Sequence, residues 1–330
     1  MKNDMGITPL QMKISKILVF IILCLIFLFA ISSCNTNDDA GQIINNDPTT
    51  FEIISNSPNH TILENALQSS ELVELLNSGV FTVFAPTDEA FANIDVNAFS
   101  TAELRNVLLN HVITGNVEST DLSNGFYKTN ATETYSGDNN FIDMYINVDG
   151  GVLLNGNISV SQTDITANNG TVHVTDQVAT LPSIVTLAVA NPDFSSLETA
   201  LIQENLVGTL SSGSPPAPFT VFAPSDTAFQ NFLDEDSEDG FETIEDLLGF
   251  NSLTDVLTYH CLGNAAVRSD MITTTTTTET LQGENITINV DNGISITDQN
   301  GRSVNVVATD VTGSNGVIHV LDNVILPTLP

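Results

Sequence analysis

The chain has 330 residues, with 7 basic against 40 acidic side chains and a formal net charge of −33. So few Lys and Arg cannot neutralise a run of phosphates, which excludes nucleic-acid binding, and the acid excess repels anionic membrane surfaces as well. Two of its 3 cysteines fall within the first 34 residues, so the fold is expected to stand on apolar cores rather than on disulfides.

Lys13 and Lys16 precede an apolar run from Ile17 to Ile31. The run is too short for a confident membrane span, which takes roughly 18 or more apolar residues. It ends in Ile31-Ser32-Ser33-Cys34, which resembles the lipobox of bacterial lipoproteins; an uncleaved signal anchor is the alternative. The resemblance implies a signal peptide over residues 1–33 and a Cys34 that is acylated on sulfur and nitrogen. At ~0.8 kcal/mol per buried CH₂, three acyl chains anchor a protein essentially irreversibly. Removing Lys2, Lys13, Lys16 and Asp4 leaves Arg105, Lys128, Arg268 and Arg302 against 39 acids, a net −35. Residues 34–47 are Asn- and Asp-rich and read as a flexible acidic tether. Their Asp38-Asp39 resembles the acidic patch of lipoproteins exported to the surface of some Gram-negative bacteria, so the expected location is the bacterial cell envelope, at the outer membrane or cell surface.

Beyond the tether one domain-sized unit is written twice. Phe81-Thr-Val-Phe-Ala-Pro-Thr-Asp-Glu-Ala-Phe91 returns as Phe219-Thr-Val-Phe-Ala-Pro-Ser-Asp-Thr-Ala-Phe229, and Asn168 to Val174 returns as Ser314 to Val320. A period this long points to tandem globular domains rather than a solenoid, here 48–184 and 185–330. Each opens on an amphipathic helix, with Ile62, Leu63, Ala66 and Leu67 or Leu197, Ala200 and Leu201 at three- and four-residue spacings. The strand Phe81–Phe84 or Phe219–Phe222 follows, stopped by Ala-Pro. Thr87 and Ser225 stand at helix N-cap positions, with Asp88 and Asp226 in the first turn. A second helix carries Leu104, Val107, Leu108 and His111, or Leu253, Val256, Leu257 and His260. The remainder of each copy alternates in β-branched segments separated by Asn155-Gly156, Asn169-Gly170, Asn300-Gly301 and Asn315-Gly316, which predicts an antiparallel meander with type I′ turns. Helices first and strands after give an α+β domain with its helices gathered to one side.

Together these landmarks resemble the fasciclin domain family. Its first motif, T-x-F-A-P-[ST]-x-x-A-F, is met by Thr82–Phe91 and Thr220–Phe229. Its second, G-x-[VI]-H-x-[VIL]-D-x-[VI]-[LI]-x-P, is met closely by Gly316–Pro327 and, with Thr175 at the sixth position, by Gly170–Val178 followed by Leu181-Pro182. The Tyr-His pair between them stands as Tyr259-His260, but reads Asn110-His111 in the first copy. The resemblance implies two tandem fasciclin-like domains, each an antiparallel β-wedge with helices to one side. It also implies adhesion or extracellular contact rather than catalysis. Animal relatives make Tyr259 and His260 candidate contact residues, although the apolar flanks Val256, Leu257 and Leu262 favour a place in the core.

No catalytic constellation competes with that reading. There is no Gly-x-Ser-x-Gly elbow, no P-loop and no His-Glu-x-x-His, and the duplicated His111/His260 and His173/His319 sit on apolar elements, as hydrogen-bonded core histidines do. No cofactor is expected, with calcium the one cation considered. Asp234–Gly240 places its Gly one position late for an EF-hand and lacks the twelfth-position Glu, so it reads as a solvated loop, and Thr273–Thr278 reads as a low-complexity loop or edge strand. The expected function is a lipid-anchored adhesion protein meeting extracellular matrix, a cell-surface protein or polysaccharide. The alternative is a surface lipoprotein that binds glycan or a small molecule for uptake.

Overall fold

Helix starts are set by side chains that accept the first unpaired N–H groups. Thr49 and Ser100 open α1 (Thr50–Ser55) and α4 (Thr101–Leu109) in capping boxes with Glu52 and Glu103. Between them α2 (Thr61–Ser69) and α3 (Val73–Ser78) turn Leu63, Leu67 and Leu76 inward, and β1 (Phe81–Pro86) is buried along its whole length. The computed structural model describes residues 47–235 and 242–329. The leader, Cys34, the tether through residue 46 and the acidic run from residue 236 lie outside the described residues.

After α4 come β2 (Val112–Thr114), β3 (Gly125–Thr132), β4 (Phe141–Asn147), β5 (Leu153–Leu154), β6 (Ile158–Ala167) and β7 (Gly170–Thr175). They form one seven-stranded sheet in the order β2-β1-β7-β6-β5-β4-β3. The second copy repeats this. Its helices are α5 (Ile184–Ala190), α6 (Ser195–Gln203), α7 (Val207–Ser211), α8 (Asp226–Glu235), α9 (Ile244–Leu248) and α10 (Leu253–Tyr259). Its strands are β8 (Phe219–Pro224), β9 (Cys261–Leu262), β10 (Thr276–Glu279), β11 (Asn285–Asn289), β12 (Ser295–Thr297), β13 (Ser303–Gly313) and β14 (Gly316–Leu321), ordered β10-β11-β12-β13-β14-β8-β9. Each copy has one core under its helices and another inside its wedge. In the first copy Leu63, Leu76, Leu104 and Leu108 pack in the former, and Phe84, Met144, Ile146 and Leu154 in the latter.

The α+β class and the meander over β4–β7 and β11–β14 are as expected, and β3 and β10 extend it, but the sheets are mixed rather than wholly antiparallel. The first repeated string enters the sheet beside the second, and β1 pairs with β7, and β8 with β14, in parallel. A strand covered on both faces suits that central position. The Asn-Gly steps also divide. Asn155 and Gly156 both take positive φ, as a type I′ turn needs. Asn169 and Asn315 do not appear among the positive-φ residues; their amides bridge helices instead. Asn169 Oδ1 accepts from Thr50 N (2.8 Å) and its Nδ2 donates to Gly79 O (3.0 Å), while Asn315 repeats this with Ile184 N (2.9 Å) and Leu210 O (2.8 Å).

Asp88 and Asp226 also work at a distance. Each carboxylate caps an earlier helix, α2 for Asp88 and α6 for Asp226, rather than the turn that follows it. Asp88 accepts from Ile62 N and Thr61 Oγ1 (both 2.8 Å), and Asp226 from Ser196 N (2.8 Å) and Ser195 Oγ (2.6 Å). Thr87 and Ser225 do cap locally, accepting from Ala90 N (3.3 Å) and Ala228 N (3.2 Å). In the first copy only a single 3₁₀ turn follows, at Glu89–Phe91, where the second has the ten-residue α8.

The parallel pairing depends on glycine where the two strings meet. A Cβ at Gly170, whose φ is +144°, would lie 1.8 Å from the Phe81 carbonyl oxygen, and one at Gly316 would lie 2.3 Å from that of Phe219. Gly170→Ala and Gly316→Ala should each cost roughly 3 kcal/mol or more, read from urea unfolding midpoints. A loss under about 1 kcal/mol, the typical effect of an ordinary substitution, would contradict this close approach.

Candidate functional site

The Tyr-His pair is part of the interior. Tyr259 is 0 % exposed and His260 3 %, so neither side chain is presented to a partner in this fold. Tyr259 Oη donates to Asn285 O (2.9 Å) and accepts from Gln299 N (3.1 Å), tying α10 to the meander. His260 Nδ1 lies 2.7 Å from Val256 O, and its Nε2 accepts from Ile325 N at 3.2 Å. His111 does the same with Val107 O (2.8 Å) and Ala179 N (2.8 Å). Both rings are therefore neutral with the proton on Nδ1, and burial pulls each down to about 4. Asn110, standing where the other copy has Tyr259, donates to Ala179 O and Thr180 O.

The second histidine pair lies inside the wedge. His173 Nε2 is 3.1 Å from Val117 O and His319 Nε2 2.7 Å from Val267 O, and the rings stack on Phe84 and Phe222. Burial again lowers both. Beside them Asp164 and Asp310 bind the hydroxyl and backbone N–H of Ser119 and Ser269. Among the described residues no group of three His, Cys, Asp or Glu is placed to hold a metal ion. Burial pushes the Cys261 thiol up to about 12.

No local pattern of residues announces the surface that joins the copies. β3 and β4 pack against α5 and β13 of the second copy. There Phe126 and Tyr145 meet edge to face at 5.1 Å, and Phe126 packs on the second copy's core. Next to them Lys128 Nζ reaches Asp143 Oδ2 (2.6 Å), Asp310 O (3.0 Å) and Thr312 Oγ1 (3.3 Å). Thr312 N donates to the same Asp143 oxygen at 2.6 Å, and Tyr135 Oη to Gly316 O at 3.1 Å. Burial raises the Asp143 carboxyl while the Lys128 charge opposes it. A carboxylate at 4 % exposure stays tolerable because the Lys128 ammonium and the Thr312 N–H both donate to it.

The other basic residues are also bound within the fold. Arg105 donates to Ser70 O and Glu71 O, Arg268 to Thr312 Oγ1, and Arg302 to Glu235 and Val324 O while lying over the Phe232 ring. The first copy also has an open groove of about 620 Å³ between α4 and the strand end at Thr132, lined by Phe99, Arg105, Asn106, Leu109 and Leu181.

Two copies of one mixed-sheet domain, each closed by a buried histidine and joined through the outer face of the first sheet, define a tandem α+β module. Its family follows from comparison: the family model described as Fasciclin domain matches residues 58–182 and 192–327, and the chain belongs to the fasciclin domain family. Human periostin is 31 % identical over 262 residues, which is 77 % of this chain and 29 % of periostin. The uncharacterized protein sll1735 of Synechocystis sp. is 36 % identical over 147 residues, 44 % of this chain and 98 % of that protein. The pig transforming growth factor-beta-induced protein ig-h3 is 29 % identical over 263 residues; the chain spans 36 % of its length, about a third, as it does of periostin. A solved FAS1 domain pair from the insect cell adhesion molecule Fasciclin I shares the fold, with a TM-score of 0.50 and 19 % identity over 79 % of this chain and 95 % of that one.

Two measurements test this geometry. Lys128→Met leaves Asp143 buried without its counter-charge. Because Lys128 is itself half-exposed, the cost should be roughly 1–3 kcal/mol, and calorimetry should show one unfolding transition separating into two. For the histidines, the unfolded chain binds more protons than the folded one between pH 6.5 and about 4. Stability should therefore fall as pH drops through that window, by about 1.4 kcal/mol per unit and per histidine. Urea midpoints at pH 7, 6 and 5 should decline less steeply for His260→Gln than for the wild type, a comparison that cancels the relief of acid–acid repulsion.

Proposed function

We propose that the protein is a non-enzymatic, lipid-anchored adhesion protein of a bacterial cell envelope, held at the outer membrane or cell surface through Cys34. Its two domains meet extracellular matrix, a cell-surface protein or polysaccharide. The observation that carries this reading is the tandem fasciclin pair fixed by a half-buried ion pair and an aromatic pair, so that it presents a surface of constant geometry. The leader and the Ile31-Ser32-Ser33-Cys34 string support the anchor, and the solved pair with the same fold comes from an insect cell adhesion molecule. Weak contacts made by both domains on one tether add through effective concentration. At a net charge near −35 contacts between like chains need salt or a divalent cation such as calcium to screen repulsion.

The groove of about 620 Å³ favours the second reading, a surface lipoprotein that captures a glycan or small molecule. Its volume is that of a small-ligand site, and Leu109→Trp would fill it.

Full-length protein made in a lipoprotein-processing bacterial host should fractionate with the membrane, take up labelled fatty acid and clump the cells more in high salt with calcium than in low salt. Cys34→Ser should lose the label and the clumping. Clumping that is the same in both buffers, or a Cys34→Ser chain that still carries acyl label, would count against the proposal.

A further inference from the structure

The two copies use the same sheet face differently. Aligning the turn Asp149-Gly150-Gly151 with Asp291-Asn292-Gly293 places Tyr145 against Thr287 and Asp143 against Asn285. The strand pairings then place Phe126 against Thr277 and Lys128 against Glu279. In the first copy these positions make the domain interface. In the second the aromatic pair has become two threonines whose hydroxyls meet at 3.1 Å, and the ion pair has become Glu279 opposite Asn285. This face has neither device by which the first copy docks a neighbour, so it does not receive a further domain of this kind by the same contacts.

What it has instead is order. Thr277, Thr287, Thr297 and Ser303 stand opposite one another across four strands, and Asn289, Ser295 and Asn305 form the next row. Their registers are supported by Asn289 Nδ2 donating to Thr297 Oγ1 at 2.9 Å and by Asp322, which binds Asn305 at the end of its row. All seven side chains are exposed or half-buried, while Ile286, Ile288, Ile296 and Val304 on the opposite face fill the core. Neighbouring strands lie about 4.8 Å apart and every second residue about 6.7 Å along, so the hydroxyls and amides form a regular two-dimensional array.

We propose that this array is a binding platform for a neutral polyhydroxylated polymer, an uncharged polysaccharide. The inference rests on the adhesive reading and names its partner. Within the two rows no side chain is charged or large and apolar, in a chain with 40 acids and 7 bases. An acidic polymer is repelled by the surroundings and finds no Lys or Arg in these rows, since the four basic residues among the described residues are bound elsewhere in the fold. A protein partner would find a single exposed aliphatic side chain beside the rows, Val307, and no aromatic or Arg anchor of the kind that concentrates binding energy at such interfaces. Hydroxyls and amides both donate and accept, as sugar hydroxyls do. A repeating ligand can meet successive rows, so individually weak contacts sum along one chain.

The test uses purified full-length protein in detergent, pulled down with microcrystalline cellulose, insoluble β-1,3-glucan and starch granules, with alginate gel as the acidic comparison. At least one neutral probe should retain the wild type and alginate should not. Ser295→Val with Ser303→Val raises β propensity while removing two hydroxyls of the array and leaving the Asn289–Thr297 bond in place, and should weaken retention at least tenfold with an unchanged melting temperature; Thr163→Val on β6 should leave it unaltered. Retention by none of the neutral probes, preferential retention by alginate, or a double variant that binds like the wild type would overturn the proposal. If host cells clump while the neutral probes fail, this inference falls and the adhesive reading stands; if neither occurs, both fall.

Discussion

Each domain depends on the parallel pairing of its first and last long strands, β1 with β7 and β8 with β14. That pairing brings together strings about ninety residues apart, so most of the loop-closure entropy of the domain is lost in forming it. The side chains around it hold it in register. Thr82 and Thr220 accept from Val117 N and Val267 N beside the strand, Asn169 and Asn315 fasten the helices at its end, and the histidines of β7 and β14 bond the chain that follows β2 and β9. The motif residues are thus contacts with the far side of the fold, and His111 and His260 close the same unit from the helical side.

The domain interface follows from scarcity of positive charge. Buried Glu133 is held by backbone, hydroxyl and amide donors within its own copy, whereas Asp143 at the interface takes one of the few cations, Lys128, together with the Thr312 N–H. The neighbouring Phe126–Tyr145 pair removes apolar surface from water beside it. One contact is directional and the other is not. Together they fix both the orientation and the closeness of the two bodies.

Much of the architecture was legible in the sequence because it repeats and because its periodicities are local. The helices with Leu104, Val107 and Leu108 or Leu253, Val256 and Leu257, the strands after them, and the turn at Asn155-Gly156 all declare themselves within a few residues. The direction of β1 and β8 did not, since it is decided by a partner far along the chain. For the same reason Asp88 and Asn169 read as a helix-end charge and a turn residue, when their bonds reach Ile62 and Thr50. β3 was missed because Gly125–Thr132 lacks a sustained apolar alternation, and its outer residues Phe126 and Lys128 find their partners in the other domain. The candidate pair Tyr259-His260 was recognisable as a motif, and its apolar neighbours announced its burial.

Duplication gave one surface two histories. At Tyr145 any replacement must be answered across a boundary, by the segment around Thr312 or by α5, so that position is held by its neighbour's shape. At Thr287 no neighbour has to answer. The second copy is therefore where new specificity can be acquired, by evolution or by an engineer, without unhinging the pair that carries it.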